Sequence, residues 1–149
     1  MNEQIIIYDE KTASLKTVLE HLTKCSNNFV PNLNETVDIG IYSKKIVENS
    51  VTFEAWINTE LIGLIAAYFN DVKQGVGFIT NVSVVKEYFG KGIAHQLLHN
   101  CIQYGIIHQF KIISLEVFYQ NNKAIQLYKK YGFYKTGSKQ DNTIMQKDL

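Results

Sequence analysis

Arginine is missing from all 149 residues, and the fifteen basic side chains are lysines. Planar, bidentate guanidinium capture of phosphate or carboxylate is therefore excluded, and any phosphate site has to be built from backbone N–H groups and lysine ammonium groups. Cysteine occurs only at Cys25 and Cys101, far apart and outside any CxxC pair, which argues against a disulfide framework or a zinc cluster. Proline occurs once, at Pro31. No Pro/Ser-rich linker, repeat or low-complexity tract interrupts the chain, so its length predicts one domain over residues 1–149. The longest uncharged apolar run, Leu61 to Phe69, has nine residues, whereas a spanning helix needs about 20. An excess of charge of one sign is absent too. The net charge of +1 offers no broad attraction to a nucleic-acid backbone or an anionic membrane, so neither is an expected partner. The start, Met1-Asn2-Glu3-Gln4, carries an acid where a secretory leader carries a base, and the expected setting is cytoplasmic.

With 46% hydrophobic and 19% charged residues, the chain has the apolar surface for a sizeable core. Ile5 to Tyr8 reads as a strand, and Leu15, Val18, Leu19 and Leu22 fall at helical spacing after it. An Asn-rich loop from Ser26 to Val37 precedes a second helix over Ile39, Tyr42 and Ile46, with Asp38 as its N-cap. Val51–Trp56, Leu61–Phe69 and Gly77–Val84 are β-branched and aromatic runs joined by turns, which predicts an antiparallel meander. A glycine turn then opens a helix carrying Ile93, Leu97, Leu98 and Cys101. Lys111–Phe118 reads as a buried central strand, and Ala124, Leu127, Tyr128 and Tyr131 line a last helix that stops at Gly132. Strands near Phe133–Thr136 and Thr143–Gln146 finish an α/β (α+β) order with a mixed sheet.

The turn Gly90-Lys91-Gly92 at the end of a strand and the start of a helix is an arrangement that can cradle phosphate. Small residues let N–H groups approach an anion, and the helix N-terminus adds about half a positive charge. Taken alone, glycines at a helix start are more often turn chemistry. The spacing fits neither a P-loop nor a dinucleotide fingerprint, so nucleotide hydrolysis and hydride transfer lose support. Tyr128 sits on an apolar stripe, where packing is the usual role of an aromatic ring. Glu116 interrupts an apolar strand, so its charge has to be paired, face water or shift its pKa. His95 and His99 have the i, i+4 spacing of metal ligands but no third ligand nearby in sequence, and no metal is expected.

The segment Val82–Leu98 (VSVVKEYFGKGIAHQLL) resembles motif A of the GNAT N-acetyltransferase superfamily, whose pattern is Gln/Arg-x-x-Gly-x-Gly/Ala. It falls here on Phe89, Gly90, Lys91, Gly92, Ile93 and Ala94, with Phe89 in place of Gln or Arg. Leu115–Phe133 (LEVFYQNNKAIQLYKKYGF) is similar to the family's motif B almost position by position. The resemblance implies a GNAT fold with a central mixed, mostly antiparallel sheet flanked by helices and splayed between its fourth and fifth strands. It implies acetyl-CoA as cosubstrate, with backbone groups of Val82, Ser83 and Val84 along the pantetheine arm. Gly90, Lys91, Gly92, Ile93, Ala94 and His95 would hold the pyrophosphate beside Phe89, and Asn121 would contact the cofactor. By the same likeness Tyr128 is the general acid. Glu116, twelve residues earlier as in ribosomal-protein N-acetyltransferases of the superfamily, is a base or a structural strand residue.

The expected reaction is acetyl transfer to a primary amine without a covalent enzyme intermediate. The acceptor is a small molecule or a peptide. The amide-rich loop suits an amino sugar, whereas the Glu116–Tyr128 spacing suits a protein N-terminus. The loop Ser26–Val37, Tyr42, Lys44 and Tyr119 are the expected acceptor contacts. A non-catalytic acyl-CoA-binding module is the reading from a different class, and a homodimer is left open.

Overall fold

The computed structural model describes residues 4–149. The acidic start Met1-Asn2-Glu3 lies outside the described residues. In chain order the elements are β1 (Ile7–Glu10), α1 (Leu15–Cys25), α2 (Leu33–Thr36), α3 (Ile39–Asn49), β2 (Val51–Ile57), β3 (Glu60–Asp71), β4 (Val76–Val84), α4 (Ile93–Ile107), β5 (Ile112–Phe118), α5 (Asn122–Lys130), β6 (Tyr134–Lys139) and β7 (Asn142–Asp148). The strands form one sheet in the order β1-β2-β3-β4-β5-β7-β6. Every neighbouring pair is antiparallel except β4 and β5, which run parallel. This is the mixed, mostly antiparallel sheet that the sequence resemblance implies.

Local chemistry explains the helix starts. The Ser14 hydroxyl accepts from the Thr17 N–H at 3.2 Å, and the Asp38 carboxylate accepts from the Ile41 N–H at 2.9 Å, each meeting a donor that the first helical turn leaves free. On one face of the sheet, Val18 and Leu22 of α1, Leu33 of α2 and Ile46 of α3 pack on Leu64 and Ala66 of β3. On the other, Leu97, Leu98 and Cys101 of α4 and Tyr128 of α5 pack on Phe53, Ile65, Ile113 and Leu115. Strand β3 is covered on both sides, which accounts for its near-continuous apolar run. Glu54 of β2 is fully buried, and its carboxylate accepts from the Thr12 and Ala13 N–H groups, the Thr12 and Thr52 hydroxyls and the Trp56 indole N–H. These bonds pin the turn between β1 and α1 and compensate a charge removed from water.

Several boundaries move from their sequence reading. The first strand forms at Ile7–Glu10, where it pairs with β2 in the register Ile7↔Trp56, rather than at Ile5–Tyr8. The turn between β2 and β3 shrinks to Asn58-Thr59, with Asn58 at φ +53°, because Ile57 and Glu60 still pair. The Ser26–Val37 loop contains a 3₁₀ turn at Ser26–Asn28 and the single-turn α2.

The feature that makes the site is a fault in β4. Its pairing with β3 runs Ala66↔Asn81 but then Ala67↔Ile79, so Thr80 is an extra residue, a β-bulge. Parallel pairing with β5 runs from Val76↔Ile112 only to Ile79↔Leu115, and it stops where the bulge begins. Beyond it β5 stays paired with β7 and β4 stays paired with β3, so the two strands part. The Tyr42 hydroxyl of α3 donates to the Thr80 carbonyl at 2.7 Å and lies 3.0 Å from Thr80 Oγ1, satisfying a backbone acceptor that the bulge takes out of the ladder.

Candidate active site

A cleft of about 890 Å³ opens where β4 and β5 diverge. Of the residues the sequence nominates, Val82, Ser83, Val84, Phe89, Gly90, Gly92, Ile93, Ala94, His95, Glu116, Asn121 and Tyr128 all line it. Lys91 does not; its side chain is exposed away from the cleft wall. Lys123 does, with its ammonium 5.0 Å from the centre of the Phe89 ring.

Register decides which atoms of β4 the cleft can use. Val85 donates its N–H to the Ile62 carbonyl at 2.8 Å, and Ser83 stands opposite Leu64 in the same ladder. Alternation along a strand then points the backbone groups of Ser83 at β3 and those of Val82 and Val84 into the gap. Ser83 therefore faces the cleft's wall as part of the β3–β4 ladder, and its hydroxyl is occupied with His21 and Asn81.

At one end of the gap Gly90 and Gly92 adopt φ +78° and +76°, a region that L side chains rarely enter. A Cβ at either position would meet nothing within 4 Å, so the loop is left open rather than packed. Gly92 caps α4 without a side chain to bond the first-turn amides. The first N–H to return to the helix is that of Gln96, on the Gly92 carbonyl at 3.1 Å. The N–H groups of Ile93, Ala94 and His95 are thus the free donors of a helix N-terminus, where an anion is stabilised. His95 Nδ1 lies 3.2 Å from the Tyr131 hydroxyl. Asn121 caps α5, its side-chain oxygen accepting from the Ala124 N–H at 3.3 Å, so its amide NH₂ is the donor left for a ligand.

Tyr128 and Glu116 lie on opposite faces of the sheet. Tyr128 is 6% exposed, packs with Phe133 at 5.8 Å between ring centres, and belongs to the core under α4 and α5. Burial pushes its phenol pKa well above the usual 10. Leu115 and Val117 point into that same core, so strand alternation turns Glu116 to the other face, which carries α1 and α2. Glu116 is exposed to water, and the Asn142 amide donates to its Oε1 at 3.5 Å. On that face the cleft wall comes from Cys25, Asn28, Phe29, Val30, Pro31, Leu33 and Thr36. The sequence reading placed the acceptor at this loop, Tyr42, Lys44 and Tyr119; the loop lines the cleft, whereas Tyr42, Lys44 and Tyr119 do not, and the Tyr42 hydroxyl is taken by Thr80. That reading missed the bulge at Thr80, which carries no glycine or proline to mark it. Among the described residues no cluster of three His, Cys, Asp or Glu side chains could hold a metal ion, and no helix is long and apolar enough to cross a membrane.

His21 of α1 braces the β4 side of the cleft from below. Its Nδ1–H donates to the Leu61 carbonyl at 2.9 Å and its Nε2 lies 2.9 Å from the Ser83 hydroxyl. Burial, aided by the Lys24 charge, pushes its pKa down from 6.5 to about 4. Between these values the unfolded chain takes up a proton that the native imidazole refuses. The stability contribution is present above pH 6.5 and is lost as pH falls towards 4, by about 3 kcal/mol in all. Urea unfolding at pH 7 and pH 4.5 should show His21→Gln losing clearly less stability across that interval than the parent. Equal losses would remove the buried imidazole as the cause.

The sequence model of the Acetyltransferase (GNAT) family matches residues 15–133, and the chain belongs to that family. It is 33% identical over 92 residues to a probable spermine N(1)-acetyltransferase of Bacillus subtilis subsp. natto. That match spans 60% of this chain and 60% of the relative's length. The fold is similar to that of a PaiA N-acetyltransferase from Thermoplasma acidophilum in complex with coenzyme A, with a TM-score of 0.77 at 17% identity over 96% of this chain and 99% of that one. It is likewise similar to the ribosomal-protein-S18-alanine N-acetyltransferase of Escherichia coli, with a TM-score of 0.78 at 15% identity over 97% and 94%. At these identities the structural likeness concerns the fold.

Proposed function

We propose that the chain, as one domain, transfers the acetyl group of acetyl-CoA to a primary amine of a small molecule by direct attack in a ternary complex. The observation that carries this reading is the arrangement of Tyr128 and Glu116 on opposite faces of a gap that has an open amide cradle at one end. The cradle fits a pyrophosphate without any arginine. Backbone donors and the α4 N-terminus supply the positive field, and Lys123 adds a mobile charge at the mouth. The free edge of β4 fits an amide-bearing arm such as pantetheine, through the backbone groups of Val82 and Val84.

In the reaction, Val84 N–H donates to the thioester carbonyl oxygen as negative charge develops there. Glu116, exposed and able to act directly or through water, takes the proton that the incoming ammonium has to lose. Tyr128, on the cofactor side, assists the departing sulfur. A thiolate has a pKa of about 8.5 and the buried phenol stays well above 10, so Tyr128 acts first as a hydrogen-bond donor and gives up its proton only as charge accumulates on sulfur. The acetyl group passes from sulfur to nitrogen, and the products are the amide and the free thiol. Two buried, unpaired thiols, Cys25 and Cys101, suit a cytoplasmic setting.

Thiol release from acetyl-CoA should be saturable with at least one primary amine, at an acetyl-CoA KM of about 1 μM to 1 mM. Coenzyme A binding by calorimetry with no thiol release from any amine would instead support an acyl-CoA-binding module. A peptide N-terminus is the second reading for the acceptor, favoured by the separation of Glu116 and Tyr128.

A further inference from the structure

We propose that the acceptor is an amine of single positive charge carried on an apolar, uncharged body, and that polyamines are rejected. The inference rests on the acetyl-transfer reading above and adds the substrate class. Its first support is the wall facing Glu116. Phe29, Val30 and Pro31 line the cleft there; Val30 is 56% exposed, Pro31 is exposed and Phe29 is half-buried. An apolar segment held open to a cleft is covered favourably by apolar matter and gains little from a polar body. Pro31 has no N–H to offer a sugar hydroxyl. Of the four asparagines in the Ser26–Val37 loop, only Asn28 reaches the lining, so the amide-rich character that suggests an amino sugar in the sequence is turned elsewhere.

The second support is charge. Among the described residues lining the cleft, Glu116 is the only carboxylate, and the cationic or ionisable side chains Lys123, Lys130 and His95 belong to α5 and α4 on the other face of the sheet. One carboxylate matches one ammonium. The further ammonium groups of a polyamine would lose water without gaining a partner. The other polar side chains on the acceptor face, Asn28, Thr36, Thr80, Asn81, Ser83 and Asn142, are neutral, and Thr80, Asn81 and Ser83 bond to one another or to Tyr42 and His21. The Asn142 amide lies 3.5 Å from Glu116 Oε1, and the exposed carboxylate stays open to the single ammonium. The polyamine specificity named for the Bacillus relative is therefore not expected here.

The test is thiol release from acetyl-CoA with 2-phenylethylamine, glucosamine, spermidine and a short peptide with a free N-terminus, alongside coenzyme A binding by calorimetry. The expected kcat/KM for 2-phenylethylamine exceeds that of each of the others by about tenfold or more. Val30→Glu, a surface change at the cleft wall, should raise kcat/KM for spermidine by about threefold to tenfold and lower it for 2-phenylethylamine. A preference for spermidine, glucosamine or the peptide, or a Val30→Glu variant with the parent's ranking, overturns the acceptor class while acetyl transfer stands. Coenzyme A binding without release from any amine overturns both.

Discussion

Replacing Tyr128 by Phe is expected to lower kcat by about tenfold to a thousandfold while leaving the KM for acetyl-CoA nearly unchanged. The substitution removes one oxygen from a side chain whose ring is packed against Phe133, so the core under α5 keeps its shape and the variant should fold. Because burial holds the phenol well above its ordinary pKa, it stays protonated throughout any practical assay range. An alkaline decline in the parent's rate therefore belongs to another group, and the Phe variant should show the same decline at a lower level. The loss should also shrink with an acyl donor whose leaving thiol is more acidic, since such a thiolate needs less help. Turnover equal to the parent's would refute the role of Tyr128 at the sulfur and leave it a packing residue.

The second large effect is on binding. In a Gly90→Val, Gly92→Val double variant, two β-branched residues are asked to hold φ +78° and +76°, which costs about 1–2 kcal/mol at each position. A Cβ has free space at both sites, so steric collision does not force the loop open. Backbone strain does, and a relaxed loop no longer aims its amides at one point. Affinity for coenzyme A should fall about thirtyfold to a thousandfold by calorimetry, while the same strain lowers the melting temperature by several degrees without unfolding the core, because the loop carries no core packing. An unchanged affinity would mean that the open amides are not what holds the diphosphate. The double variant probes the cradle, Tyr128→Phe the chemistry, and the two readouts are separate.

Much of this architecture is visible in the residues themselves. The helix start at Asp38, the meander of β2 to β4, β5 and the stop at Gly132 follow from capping, alternation and turn chemistry, whereas the cap at Ser14 emerges only in the structure. The Gly90-Lys91-Gly92 turn and the LEV…NxxAxxLYxxxGF run carry the family resemblance that the match over residues 15–133 establishes. Other features are out of reach of the sequence because tertiary contacts set them. Thr80 is an ordinary strand residue by composition, and it becomes a bulge because β3 and β4 fall out of step there while Tyr42 reaches across from α3 to take its carbonyl. The division of labour within Val82, Ser83 and Val84 depends on register with β3, and no side-chain pattern encodes it. Asparagine is the commonest residue of the Ser26–Val37 loop, yet Phe29, Val30, Pro31 and Leu33 line the cleft while only Asn28 of its four asparagines does, an orientation that composition does not encode.

The bulge at Thr80 also determines traffic. A sheet with unbroken pairing is a wall, and a pocket on it has one mouth. Here the parted strands make a window lined from both faces of the sheet; in the proposed reaction the nucleotide enters from the α4 side and the amine from the α1 side. In that reaction neither reactant has to leave for the other to arrive, and the spent thiol and the acetylated product have separate ways out.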